Sequence, residues 1–398
     1  MPRVIIMSGK GGVGKTTVAA ATGLSLARRG HRTVVLSFDL AHSLSDSFDV
    51  GEELFSTAKG QPINVAENLD IQEIDVQEEL ERHWGDVYRY MAMLLAGNGI
   101  DDVVAEEAAI MPGMEDVIAL LYINQYVAAG DYDVIVVDSP PTSDSLRFVS
   151  ITGSIDWYVR KRIKVDRRFA KIIRPILNKL TSAESMMLPD DNYFGALQRL
   201  FERLNGVDAL IHDPSITTVR LVTTPDRMVI RETKRAFMYF CLYGMAMDQL
   251  VVNRMLPLDN DYFGEWAKLQ QKNIEDMSAW FDPVPISRLP FMSHEVVGRD
   301  ALEHLADILH PERDPAEVFV SNPPYAFEKV DDTAYRLTVS LPFASKDMVD
   351  ISRNGEDFTV RIGSFKRMIV LPRAVVPLPT AGARIDDNRL FVTFQKEG

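Results

Sequence analysis

The chain has 398 residues, 46 % of them hydrophobic and 25 % charged, with a formal net charge of −14. That length allows two or three domains with sizeable cores, and the acidity excludes general nucleic-acid binding, which needs a basic face. The single cysteine, Cys241, excludes a disulfide framework and a cysteine-based metal cluster, while the lack of a leader and of an uncharged apolar run of about 18 residues predicts a cytoplasmic protein that spans no membrane.

The first predicted strand, residues 4–7, runs into Gly9-Lys10-Gly11-Gly12-Val13-Gly14-Lys15-Thr16-Thr17, and the apolar residues 18–21 then begin a helix. Strand, glycine-rich loop and helix in this order read as a phosphate loop that binds ATP. The glycines let backbone N–H groups close around phosphate oxygens, Lys15 brings a charge to the β- and γ-phosphates, and the Thr16 hydroxyl sits directly on Mg²⁺. The helix N-terminus faces the anion.

Further β-rich runs at residues 33–37, 69–74, 134–137, 217–222, 249–253 and 285–289 alternate with stretches of helical length. This predicts an α/β fold, a P-loop NTPase whose mainly parallel sheet binds nucleotide at its carboxyl end. Two intervals, about 76–130 and 155–213, are too long for crossover helices and predict helical insertions. In the second, Ile155, Val159, Ile163, Phe169, Ile173, Ile176 and Leu180 fall near one helical face, between Arg160, Lys161, Arg162, Lys164, Arg167, Arg168, Lys171 and Arg174. This basic amphipathic helix fits a solvated face, a counterpart to the acidic stretch 60–144, or a peripheral contact with anionic lipid. Met91, Met93, Met111, Met114, Met186 and Met187 lie in the same intervals, where thioethers suit either a core or a groove that accepts varied apolar helices.

Residues 1–312 thus make an ATPase domain, 313–324 a linker stiffened by Asn322-Pro323-Pro324, and 325–398 a small all-β domain. In the last, Leu337, Val339 and Leu341, then Phe358, Val360 and Ile362, then Leu390, Val392 and Phe394 alternate with period two.

Asp39 and Asp138 end the second and fourth predicted strands. Taken alone, an Asp at a strand end reads as a helix N-cap. Beside a phosphate loop, Asp138 fits a carboxylate that holds Mg²⁺ through water, and Asp39 one that orients the attacking water.

Lys10, directly after the first glycine, resembles the signature of the deviant Walker A ATPases, which close nucleotide between two subunits. The loop, the segment Asp39-Leu40-Ala41-His42-Ser43-Leu44-Ser45-Asp46, and the segment from Asp138 to Leu146-Arg147-Phe148 resemble three motifs of one family. They are the phosphate loop, switch I and switch II of the arsenical-pump ATPases and their relatives that target tail-anchored membrane proteins, over about residues 1–310. The resemblance implies a homodimer closing around ATP, with Asp39, Lys15 and Lys10 catalytic and Lys10 reaching the partner's phosphates. It also implies nucleotide contacts from Asp226, from Asn253 to the adenine, and from a covering loop that includes Pro290 and Phe291. Hydrophobic helices of client proteins are the implied partners.

Leu40 and Asp144 depart from the family's usual proline and histidine. The cysteines that clamp zinc or bind arsenite in relatives are missing, so metal-stapled dimerisation and arsenite activation are unsupported. Residues 325–396, through the runs beginning Tyr335-Arg336-Leu337 and Phe365-Lys366-Arg367, resemble the α-crystallin domain of small heat-shock proteins, with Arg389 in place of a usual glycine. Either a client-contacting module or a purely stabilising sandwich fits this domain. The expectation is an ATP-driven chaperone or targeting factor. The alternatives are the ATPase subunit of an arsenite or anion efflux pump, and a nucleotide-gated scaffold that binds a folded partner through the β domain.

Overall fold

The computed structural model describes residues 1–38, 43–50, 60–74, 79, 114–140, 202–259, 262–321 and 323–396. Its first strand, β1 (Arg3–Ser8), is buried along its whole length because it lies in the middle of an eight-stranded sheet. Around it stand β2 (Thr33–Ser37), β3 (Ile63–Ala66), β4 (Leu69–Glu73), β5 (Val134–Asp138), β6 (Thr217–Thr223), β7 (Met247–Met255) and β8 (Ile286–Pro290), in the order β3-β4-β2-β5-β1-β6-β7-β8. All neighbours are parallel except β3 and β4, as expected for strands with both faces covered and one antiparallel edge.

The two faces of β1 feed two cores. Val4 and Ile6 pack with α3 (Met114–Ala129), α4 (Val207–His212), α5 (Arg227–Leu242) and α6 (Gly264–Trp280). Ile5 and Met7 pack with α1 (Lys15–Arg28), α2 (Ser43–Ser47) and α7 (Arg299–Leu309). Helix α7 shows the sequence logic well: Leu302, Leu305, Ala306 and Leu309 recur at helical spacing and are all buried against the sheet side, leaving its charged residues outward.

Two sequence expectations change here. Strand β3 was not expected, because it is a short, half-exposed edge after Pro62, joined to β4 through Asn68 at a φ of 61°. The C-terminal ends of both long intervals are ordinary sheet-covering helices. Val117, Ile118, Leu120, Ile123 and Tyr126 of α3, and Val207, Leu210 and Ile211 of α4, lie in one core, which interval length alone could not reveal. The basic helix around 160–174 and Met91, Met93, Met111, Met186 and Met187 lie outside the described residues. Asp39, Leu40 and Asp144 do too.

The C-terminal domain pairs two antiparallel sheets. One contains β9 (Tyr325–Lys329), β10 (Ala334–Ser340), β14 (Thr380–Asp386) and β15 (Arg389–Gln395), and the other β11 (Val349–Asn354), β12 (Asp357–Ile362) and β13 (Phe365–Val370). All nine residues picked out by period-two alternation are buried in its core. That core also takes Met238 and Leu242 from α5. Tyr239 stacks on Phe365 with ring centroids 3.8 Å apart, Lys234 lies over both Trp280 and Phe343, and Gly244 leaves room for the partly buried Arg367 and Tyr325. The β domain is therefore built onto α5.

The first part of the predicted linker is held as well. Arg3, Arg220 and Asp248 form a buried charge cluster, with Arg220 Nε 3.1 Å from Asp248 Oδ1. Arg220 donates to the Pro315 carbonyl at 2.8 Å, and Asp248 accepts the Phe319 N–H. Next to this cluster His310 is buried, its Nε2 3.4 Å from the Thr22 hydroxyl. Burial first, then repulsion from Arg220 and Arg29, pushes its pKa down to about 3, against a smaller opposing effect of Asp314.

His310 therefore stays neutral in the folded chain, whereas the unfolded chain takes up a proton below about pH 6.5. The stability it contributes is present above that pH and is lost as pH falls toward 3. Urea titrations should show a loss through this group of about 2 kcal/mol between pH 7 and pH 5. His310→Gln should lack that component.

Candidate nucleotide site

The loop between β1 and α1 rests on the ends of neighbouring strands. A Cβ on Gly9 would stand 2.2 Å from the Val222 carbonyl oxygen at the end of β6, and one on Gly14 would stand 2.5 Å from Asn253 Nδ2 on β7. Gly14, at a φ of 93°, precedes α1 in the left-handed conformation and turns the first helical amides toward the loop. Asn253 holds the loop from below, its Nδ2 donating to the Val13 carbonyl at 2.9 Å while its Oδ1 accepts the Arg254 N–H.

Lys15 is buried, with Nζ 3.4 Å from the Lys10 carbonyl, so its charge is folded back over the loop. Thr16, the next residue, donates its hydroxyl to Asp138 Oδ2 at 2.7 Å. Asp138 ends β5 directly beside Met7 of β1 and accepts a longer bond from the Ser37 hydroxyl at 3.4 Å. Thr16 and Asp138 thus present two hard oxygen donors next to a phosphate cradle, a donor set that fits Mg²⁺. Among the described residues no cluster of three or more His, Cys, Asp or Glu side chains could hold a metal without such help.

A cleft of about 380 Å³ opens beside the loop. Lys10, Gly11, Gly12 and Val13 form one wall, and Asp226, Arg254, Gln270 and Phe291 are among the residues of the others. Asp226 sits immediately before α5 and accepts the Thr224 hydroxyl at 2.6 Å. Phe291 is 55 % exposed at the cleft margin, its N–H held by the Met255 carbonyl; Pro290, one residue earlier, ends β8 and does not line the cleft. The two loop lysines separate here. Lys10, 39 % exposed, turns away from its own cradle to Glu232 of α5, Nζ to Oε2 3.6 Å.

The site therefore gathers Gly9, Lys10, Gly11, Gly12, Val13, Gly14, Lys15 and Thr16 with Asp138, Asp226, Asn253 and Phe291, while Thr17 follows inside α1. Sequence reasoning missed Arg254, which directly follows Asn253 and adopts a φ of 59°, and Gln270, which reaches back to accept the Leu256 N–H. It also missed Glu73, whose partners lie on α2. The first carried an available signal, a cation next to an expected base contact; the other two depend on tertiary placement.

A phosphate loop at the carboxyl end of a parallel sheet, with an Asp at the neighbouring strand end, defines a P-loop ATPase. The chain belongs to the anion-transporting ATPase family, whose model matches residues 2–311. An HSP20-like domain found in ArsA matches residues 332–394. The chain is 40 % identical over 396 residues to "Putative arsenical pump-driving ATPase 1" of Aquifex aeolicus, covering 98 % of this chain and 99 % of that one. It is 32 % identical over 397 residues to "Putative arsenical pump-driving ATPase" of Chlorobaculum tepidum, covering 99 % and 96 %. It is 27 % identical over 317 residues to "ATPase get3" of Aspergillus terreus, covering 78 % of this chain and 91 % of the relative.

The cradle itself can be tested at Gly14. Gly14→Ala puts a methyl at a positive φ against Asn253, a strain of order 1–3 kcal/mol. Calorimetric titration should show ATP affinity falling about tenfold or more.

Proposed function

We propose that the chain works in the cytoplasm as a homodimeric, ATP-driven switch that closes over nucleotide and so assembles a surface for apolar segments of client proteins. The observation that carries the reading is the division of the loop lysines. Lys15 is committed to its own cradle, whereas the Lys10 side chain stands on the cleft rim and pairs with Glu232 across a partly exposed 3.6 Å gap. An exposed pair of this kind contributes roughly 0–1 kcal/mol, so Lys10 is readily released to the phosphates of a second subunit.

In this account Thr16 directly, and Asp138 through water, would hold Mg²⁺, which when bound neutralises charge on the β- and γ-phosphates. Lys15 and the loop amides bind the phosphates of their own nucleotide. Asp39 orients the water that attacks the γ-phosphorus. Asp226, at the start of α5, senses nucleotide across the interface, and Asn253 and Phe291 define the base side of the cleft. The helical intervals, with their methionines, supply the client surface, and the basic stretch between residues 160 and 174 offers a peripheral contact with anionic membranes.

A second reading is favoured by the relatives' names: the chain drives an arsenical or other anion pump. Soft metalloids need thiolates, and Cys241 is buried with its thiol pushed up to about 12, chiefly by that burial. Stimulation of ATP turnover by arsenite would favour the pump.

Asp39→Asn should leave ATP binding intact, hold the dimer closed, and reduce turnover about a hundredfold or more. Undiminished turnover refutes the role of Asp39. Lys10→Ala should lower dimer-dependent hydrolysis about tenfold or more, with nucleotide affinity of the monomer within about twofold. Equal losses in both would show that Lys10 acts only on its own nucleotide.

A further inference from the structure

Helix α2 follows the segment that carries Asp39 and is only five residues long. A helix this short is not stable by itself, and its first N–H groups need acceptors from outside. Local Ser, Thr, Asp or Asn caps are the usual source, but the sequence places His42 directly before the helix. The acceptor is Glu73, more than two dozen residues away at the end of β4. Its Oε1 receives the N–H groups of Leu44 and Ser45 at 2.9 Å each, and its Oε2 receives the Ser45 hydroxyl at 3.1 Å. A carboxylate at a helix start gains from both charge-assisted hydrogen bonds and the helix dipole.

The surroundings give this cap a further consequence. Strand β4 pairs with β2 so that Glu73 lies opposite Ser37, one residue before Phe38, whose N–H meets the Asp138 carbonyl at 3.4 Å. Phe38, just after β2, and the start of α2, held by Glu73, are thus both anchored, and the sequence places Asp39 among the four residues that separate them. Ser43, the first residue of α2, has its hydroxyl 3.4 Å from that of Thr16. At the far end of the helix the Ser47 carbonyl accepts the Gly298 N–H at 2.9 Å, which ties α2 to the loop after β8.

We propose that Glu73 is a positioning residue for ATP hydrolysis: by capping α2 it fixes the downstream anchor of the segment that presents Asp39 to the attacking water. This rests on the reading above that Asp39 orients that water. Glu73 touches neither nucleotide nor water in this role, so its removal acts on the chemical step through placement, where an error of about 1 Å costs of order a hundredfold in rate.

The test uses the full chain and MgATP, with Glu73→Ala, Glu73→Gln and Asp39→Asn compared for kcat, KM, ATP affinity and melting temperature. Glu73→Ala should lower kcat about tenfold or more with KM and ATP affinity within about twofold. Glu73→Gln keeps an acceptor oxygen for the Leu44 and Ser45 amides and should recover most of that loss. Should Glu73→Ala fail to fold, Glu73→Asp takes its place: one methylene shorter, it should lower kcat with KM kept. An unchanged kcat in Glu73→Ala, a Gln variant as impaired as Ala, or a KM that rises with the fall in kcat overturns the proposal. If Asp39→Asn is inactive while Glu73→Ala is fully active, only Glu73 loses its role. If Asp39→Asn turns over normally, the underlying reading fails first.

Discussion

The nucleotide site depends on how closely the phosphate loop can lie on the ends of β6 and β7. At Gly9 and Gly14 there is no room for a methyl group, because the Val222 carbonyl and the Asn253 amide already occupy its place. This close seating lets Asn253 carry the Val13 carbonyl and lets β7 deliver Arg254 to the cleft on the next residue. The rest of the site is arranged around a loop that cannot move outward without losing these supports. Asp138 arrives from β5 at the level of Met7, and Thr16 reaches it from the first turn of α1.

Helix α5 extends this arrangement to the second domain. It starts at Asp226 in the cleft, carries Glu232 opposite Lys10, and holds the end of β6 through the 2.8 Å bond between Thr233 and Thr223. Its last turns enter the core of the β domain through Met238 and Leu242. One rigid element therefore touches the cleft at one end and the β sandwich at the other. Removing the β domain would expose apolar residues of α5, so the sandwich stabilises the ATPase domain whatever else it contacts.

The sequence made the phosphate loop, the parallel sheet and the β core legible because each follows a short-range rule. Glycine spacing announced the loop, apolar runs announced the strands, and alternation picked out Leu337 to Phe394 correctly. Features that depend on distant chain segments meeting could not be read in this way. Nothing in the run around Glu73 points to α2, nothing in Met238 or Leu242 points to the β domain, and Arg220 and Asp248 meet the stretch 313–319 only in the folded chain. Asp226 and Asn253 occupy an intermediate position: the resemblance placed them at the site, and the fold gives them their local partners.

The central claim, that two subunits share each nucleotide, is tested most directly by mixing two impaired variants. In a mixed dimer of Lys10→Ala and Lys15→Ala, one site combines Lys15 of the first variant with Lys10 of the second. With random pairing, an equimolar mixture should recover roughly a quarter of the unmodified protein's ATPase activity, while each variant alone stays near background. A mixture no more active than the two variants separately would contradict a shared site.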